Sequence, residues 1–132
     1  IRHIKDMGIE ALCGDFREIK PEHKFDIITL NKVLEHLVDP VQFLKETLPW
    51  LSNKGYLYLE LPDGEAAFYD SPEREEFFIE HIHIFTIPST MSLINKAGYL
   101  VHTISRVKEP SGKYTIRAFI FPEKSLNFFI SK

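Results

Sequence analysis

The 132 residues make one domain at most and are enough to bury a core. The apolar share of 44% and charged share of 27% are ordinary for a globular protein, and a net charge of −3 with no basic stripe argues against a nucleic-acid partner. One cysteine, Cys13, excludes an intrachain disulfide and fits a reducing, cytoplasmic setting. No apolar run approaches the ~20 residues of a membrane span, and no signal peptide opens the chain. Residue 1 is Ile with no helix cap ahead of it; a processed or truncated product, or numbering that begins inside a longer gene, each accounts for this.

In chain order, Ile9–Cys13 is a short apolar run between Gly8 and Gly14 and reads as a short buried strand, with Cys13 a small core residue rather than a nucleophile. Arg17–Lys24 is polar, holds Pro21 and reads as a loop. Phe25–Leu30 is nearly continuous in β-branched and apolar residues, which predicts a strand buried on both faces of a parallel sheet. Asn31–Val38 follows as a turn and short helix. Asp39 then caps a helix with Pro40 at its first position and Gln42 placed to reach back as in a capping box. Val41, Leu44, Leu48 and Leu51 give that helix its stripe, and Pro49 tightens its end.

Ser52–Gly55 turns the chain into a strand at Tyr56–Leu61, which Pro62-Asp63-Gly64 stops. Glu65–Phe78 is acidic, aromatic and interrupted by Pro72, an irregular insertion with some helix. Its Phe68, Tyr69, Phe77 and Phe78 suit a satellite core, with a pocket lining as the other reading. Thr86–Ala97 is a helix capped by Thr86, with Pro88 in its first turn and Gly98 past its end. Tyr99–Val107 and Tyr114–Phe121 are strands joined by the hairpin loop Lys108–Lys113, and Leu126–Ile130 is a short apolar tail. With no linker or repeat, residues 1–132 read as one domain. Strands alternating with helices predict an α/β fold whose mixed sheet carries one antiparallel edge strand.

Ligands of such sheets lie outside the carboxyl ends of the strands. That points to Gly14-Asp15-Phe16, to Asn31 through His36, and to Pro62-Asp63. Bland readings accompany the first two: Asp15 suits an Asx turn, and Asn31 suits a strand-to-helix cap. Glu80-His81-Ile82-His83 sets two histidines two residues apart, on one face if extended, which suits general-base work or simple docking of the insertion.

The run Lys24–Pro40, with Phe25-Asp26, Val33-Leu34-Glu35-His36 and Asp39-Pro40, resembles the central motif of class I S-adenosylmethionine-dependent methyltransferases. Asn53–Asp63 and Glu80–Tyr99 resemble the segments that follow it in that family, so the likeness spans about Gly8 to Phe121. It implies a Rossmann-like sheet of order 3-2-1-4-5-7-6. The family's Gly-rich cofactor turn is absent, because the six glycines all stand alone, and the chain aligns only from after the second strand. The expectation is therefore a methyltransferase sheet truncated on its N-terminal side, with weak binding of S-adenosylmethionine.

Carried onto this sequence, the resemblance puts Asp15 and Phe16 at the adenine, and Leu30, Asn31 and Val33 along the cofactor. It puts Glu35 and His36 beside the reacting methyl and acceptor. Sugar C-methyltransferases carry a similar Glu-His ahead of an aromatic-Ser/Thr cap, which favours His81 over His83 as base. Some members that methylate hydroxyls hold a divalent metal with the corresponding Glu-His and a carboxylate three residues earlier. Lys32 occupies that place here, so no metal site is expected.

The activity implied is methyl transfer to a small-molecule acceptor, with an upstream segment needed to complete the site. A non-catalytic fragment that dimerises through an exposed sheet edge is the alternative. A metal-dependent hydrolase using His36, His81 and His83 is a more distant third.

Overall fold

The structure, a computed structural model, describes residues 2–71 and 73–127. Among the described residues four strands build one sheet: β1 (Phe25–Asn31), β2 (Leu51–Pro62), β3 (Tyr99–Lys108) and β4 (Tyr114–Pro122). The order across the sheet is β1-β2-β4-β3, with β1 and β2 parallel and β4 antiparallel to both of its neighbours. This is the 4-5-7-6 part of the expected order. The edge strand β3 runs antiparallel to β4, as the short loop between them requires.

Among the described residues four named helices accompany the sheet: α1 (Arg2–Asp6), α2 (Pro40–Thr47), α3 (Gly64–Asp70) and α4 (Ile87–Lys96). Local chemistry accounts for the two longest. Asp39 accepts the Gln42 backbone N–H at 2.8 Å and Pro40 opens α2. The Gln42 side chain does not close a capping box; it donates forward to Glu46. Helix α2 ends at Thr47, and Pro49 falls in the tighter single turn Leu48–Trp50. In α4 the Thr86–Ser89 box is complete, and Gly98 leaves the helix at φ +80°.

Strand β2 alternates from Gly55 to Leu61. Leu57, Leu59 and Leu61 are fully buried, while Tyr58 and Glu60 face the other way. Each buried leucine contributes about 1.5–3 kcal/mol. Leu44 of α2, Leu93 and Ile94 of α4, and Ile116, Ala118 and Ile120 of β4 complete this core. Tyr99 joins the two helices to it: its hydroxyl sits 2.6 Å from Thr47 Oγ1, and burial pushes it up to about 12.

Three expectations are corrected. Ile9–Cys13 forms no strand; Ile9, Leu12 and Cys13 are exposed, because no strand lies beside that run to pair with. Strand β1 is not buried on both faces. It pairs on one side only, and Phe25 and Ile27 remain exposed, with only Ile28 and Leu30 half-buried toward the helices. Strand β2 begins at Leu51 rather than Tyr56, and the expected turn is a bulge within it. Phe25 faces Leu51, whereas Ile27 already faces Tyr56. Gly55 is required there, since a Cβ would lie 2.9 Å from the Phe25 carbonyl oxygen. The expected tail Leu126–Ile130 lies outside the described residues from residue 128 onward.

Candidate active site

The site begins where β1 ends. Lys32 turns the chain with φ +53°, a left-handed conformation costing roughly 1–2 kcal/mol for a residue with a side chain. Its backbone N–H still donates to the Glu60 carbonyl at 2.8 Å, so the turn is fastened to β2. A single tight turn, Leu34–His36, follows. Leu34 is fully buried and anchors it, which carries Glu35 inward to 1% exposure and leaves His36 exposed.

The opposite wall comes from the insertion. Asp63 caps α3 by accepting from the backbone N–H groups of Glu65 and Ala66, and it also pairs with Arg106. Its place at a strand end therefore serves structure. Gly64 donates to the Phe85 carbonyl at 2.8 Å, and the His83 backbone N–H donates to the Glu35 carbonyl at 3.1 Å. These bonds hold residues 81–85 across the mouth of the Leu34–His36 turn. His81 and His83 do not share a face. His83 Nε2 donates to the Leu37 carbonyl at 2.9 Å, whereas His81 Nδ1 donates to the Glu76 carbonyl at 2.9 Å.

Between the walls lies a cleft of about 220 Å³, lined by Lys32, Glu35, His36, Phe78, His81 and Tyr114 among others. The rings of His36 and His81 meet edge to face with centroids 5.0 Å apart. His36 Nδ1 donates to the Glu80 carbonyl at 2.9 Å. A carbonyl can only accept, so both imidazoles carry a proton on Nδ1 and, when neutral, keep their lone pair on Nε2. Glu35 Oε1 is 3.8 Å from His36 Nε2, beyond hydrogen-bond range. Neither carboxylate oxygen of Glu35 meets a hydrogen-bond partner on another residue. Burial raises its pKa; its own backbone N–H and the positive potential of His36, His81 and Lys32 pull the other way.

Much of the charge around the cleft is already paired. Lys32 Nζ lies 2.9 Å from Glu109 Oε1, and Thr115 and Lys32 together hold the Glu109 carboxyl at about 2. Glu76 is buried and accepts from the Arg74 guanidinium and, at 3.0 Å, from the Tyr114 backbone N–H. Burial raises the Glu76 pKa, yet these donors outweigh it and the net shift is downward. Lys113 pairs with Glu75 at 3.0 Å. The sequence pattern did not single out Arg74, Glu76, Glu109 or Tyr114, and only the dense charges of Glu73–Glu76 hinted at a network. Phe78 lines the cleft, while Phe68 and Tyr69 are exposed rather than forming a satellite core.

The expected cofactor residues fall elsewhere. Asp15 is turned onto Arg17, whose guanidinium holds its carboxyl down at about 2. Phe16 packs edge-on against Phe43, with centroids 5.0 Å apart, and joins Leu30 and Trp50 in a separate apolar cleft of about 210 Å³. Asn31 donates its side-chain amide to Glu60 at 3.3 Å, and Val33 opens the Leu34–His36 turn. The fold thus brings Glu35, His36 and His81 together, and Phe16 with Leu30. It leaves Asp15 engaged with Arg17 and His83 with Leu37.

Solved methyltransferases share this arrangement of strands and helices. The chain aligns with an S-adenosylmethionine-dependent methyltransferase from Clostridium acetobutylicum ATCC 824 at a TM-score of 0.63 and 11% identity, over 92% of this chain and 68% of that one. A SAM-dependent methyltransferase from Aquifex aeolicus gives 0.65 at 18% identity, over 91% and 61%. An O-methyltransferase of neocarzinostatin biosynthesis, solved with S-adenosylmethionine and a naphthoic acid, gives 0.67 at 14% identity, over 92% and 37%. These likenesses establish the Rossmann-like methyltransferase fold.

A family model described as a methyltransferase domain matches residues 7–104, and the chain belongs to that family. A tRNA U34 carboxymethyltransferase from Aliarcobacter butzleri (strain RM4018) is 34% identical over 80 residues, which are 58% of this chain and about a quarter (26%) of that protein.

Proposed function

We propose that the chain forms the acceptor side of an S-adenosylmethionine-dependent methyltransferase acting on a small molecule. The observation that carries this reading is the cleft beyond the end of β1, where His81 keeps Nε2 free opposite His36 and buried Glu35. The solved neighbours that hold S-adenosylmethionine support it as the methyl donor.

In this reading, the acceptor lies in the cleft against Phe78 and Tyr114, and the donor approaches along Leu30, Asn31 and Val33. Phe16 and Leu30 offer the apolar wall for the adenine. The sulfonium is already activated, so catalysis is mainly in-line alignment. The acceptor atom forms its bond to the methyl carbon as the carbon–sulfur bond breaks, and S-adenosylhomocysteine leaves with the electron pair. His81 Nε2 takes the acceptor's proton. The sequence holds no Gly-rich cofactor turn, and the Asp15 carboxylate is engaged with Arg17. The donor side therefore needs residues beyond these 132.

The test is label transfer from methyl-labelled S-adenosylmethionine, at millimolar donor, to a panel of small hydroxyl, amine and carbon acceptors. Labelled product that His81→Ala lowers by about 10²–10⁴-fold supports the reading. Transfer that His81→Ala leaves intact, or no transfer to any acceptor, counts against it.

A further inference from the structure

The free polar groups of the cleft are hydrogen-bond acceptors. Glu35 lines the cleft at 1% exposure, and neither of its carboxylate oxygens meets a partner on another residue. His36 and His81 commit their Nδ1 protons to the carbonyls of Glu80 and Glu76, so each neutral ring keeps a lone pair on Nε2. A ring nitrogen of each histidine and one Glu35 oxygen lie within 4.8 Å of one another. The lysines of the cleft do not answer these acceptors, because Lys32 is paired with Glu109 and Lys113 with Glu75. Glu80, on the same wall, meets no cation among the described residues.

These observations define a ligand. It donates hydrogen bonds, because the cleft already accepts. It is cationic, because an unpaired buried carboxylate is costly and its field is little screened by salt. It is small, because the cleft holds about 220 Å³. A primary ammonium group meets all three demands. Its three N–H donors, with bonds of about 2.9 Å at tetrahedral angles, place their acceptors roughly 4.7 Å apart. That separation falls within the 4.8 Å spread of the set. A bound cation also favours the ionised form of Glu35, against the upward pull of burial. Phe78, at 53% exposure, offers its ring to an apolar body.

We propose that the cleft selects small molecules carrying a primary ammonium group, with Glu35 as the counter-charge and Nε2 of His36 and of His81 as the hydrogen-bond acceptors. A modest turn of His36, whose side chain is 44% exposed, opens Glu35 to the third N–H. That the amine is the methyl acceptor rests on the methyl-transfer reading; binding of the cation does not. In that reading the ammonium, which has no lone pair at neutral pH, gives one proton to His81 Nε2. The freed nitrogen bonds the methyl carbon as the carbon–sulfur bond breaks, and S-adenosylhomocysteine keeps the electron pair. The methylated nitrogen is again positive, so Glu35 faces a cation before and after transfer.

The test is calorimetric titration of the chelator-treated 132-residue chain at neutral pH with benzylamine, and with benzyl alcohol and benzoate as its neutral and anionic counterparts. Amide shifts of the ¹⁵N-labelled chain locate the binding. The expected result is saturable benzylamine binding that moves the Glu35, Phe78 and His81 amides and is at least tenfold tighter than either counterpart. Glu35→Gln should lower benzylamine affinity at least tenfold and leave benzyl alcohol unchanged, a charge-selective loss that a merely structural role would not produce. Glu123→Gln, just past the Tyr99–Pro122 end of the β3–β4 pair, should bind as the native chain does. No saturable benzylamine binding, equal affinities for the three probes, or native-like benzylamine binding by Glu35→Gln would overturn the proposal. Where circular dichroism shows that Glu35→Gln does not fold, the three-probe comparison in the native chain decides. Binding is read without a methyl donor, so its failure is distinguishable from failure of the methyl-transfer reading.

Discussion

The cleft beyond β1 and the amino-terminal stretch 2–24 are both rich in charged residues, yet the fold treats them oppositely. In the cleft, Lys32, Glu76, Glu109 and Lys113 are each fastened to a partner distant in sequence, and the turn that carries Glu35 is anchored by fully buried Leu34. In the amino-terminal stretch the ion pair is local, Asp15 with Arg17, and Met7, Ile9 and Leu12 stay exposed. Apolar content does not separate the two regions; adjacency to a strand or helix that can bury it does.

The largest effect that would sharpen this contrast lies under the cleft. Leu59→Ala should cost about 2–5 kcal/mol in urea denaturation, since Leu59 is fully buried in β2. Leu12→Ala, at 69% exposure, should stay within about 0.5 kcal/mol. Equal losses at the two positions would break the comparison.

Gly64→Ala comes next. A Cβ there would lie 2.2 Å from Ile84 Cγ2 and 3.3 Å from the Phe85 carbonyl oxygen. It should cost roughly 1–3 kcal/mol and raise hydrogen exchange at the Gly64 and His83 amides, which hold the His81 wall in place. Unchanged exchange would show that the wall does not depend on that packing.

A smaller effect is expected with pH. The Glu109 carboxyl is held down at about 2 by Thr115 and Lys32, against about 4.3 in an unfolded chain. The folded state therefore binds fewer protons, and the stability this group supplies is full above about pH 5 and lost as pH falls toward 2. Glu109→Gln should flatten the acid limb of a stability-versus-pH curve, and an unaltered limb would place the tie to Lys32 outside the energetics that matter.

These contrasts also mark what could be read in advance. Helix α4 was legible to the residue because its signals are local: Thr86 and Ser89 close a capping box and Gly98 takes the positive φ at the other end. Strands β3 and β4 were legible for the same reason, their short loop fixing them as neighbours. Ile9–Cys13 misled because its composition matches a strand while strand formation depends on a partner. In the site, Glu35, His36 and His81 were named from their motif. The burial of Glu35 was not foreseen, since a glutamate is rarely enclosed. Nor could sequence reveal the Lys32–Glu109 tie, which joins residues 77 apart.

The central claim is that the acceptor side of a methyltransferase site is built within this chain and the donor side only in part. The most direct measurement is a titration of the ¹⁵N-labelled chain with S-adenosylhomocysteine, followed by amide chemical shifts. The account predicts fast-exchange shifts at Phe16, Leu30, Asn31 and Val33, with a Kd near the millimolar range, about −4 kcal/mol. No shifts at millimolar ligand, shifts confined to other residues, or tight slow-exchange binding would contradict it.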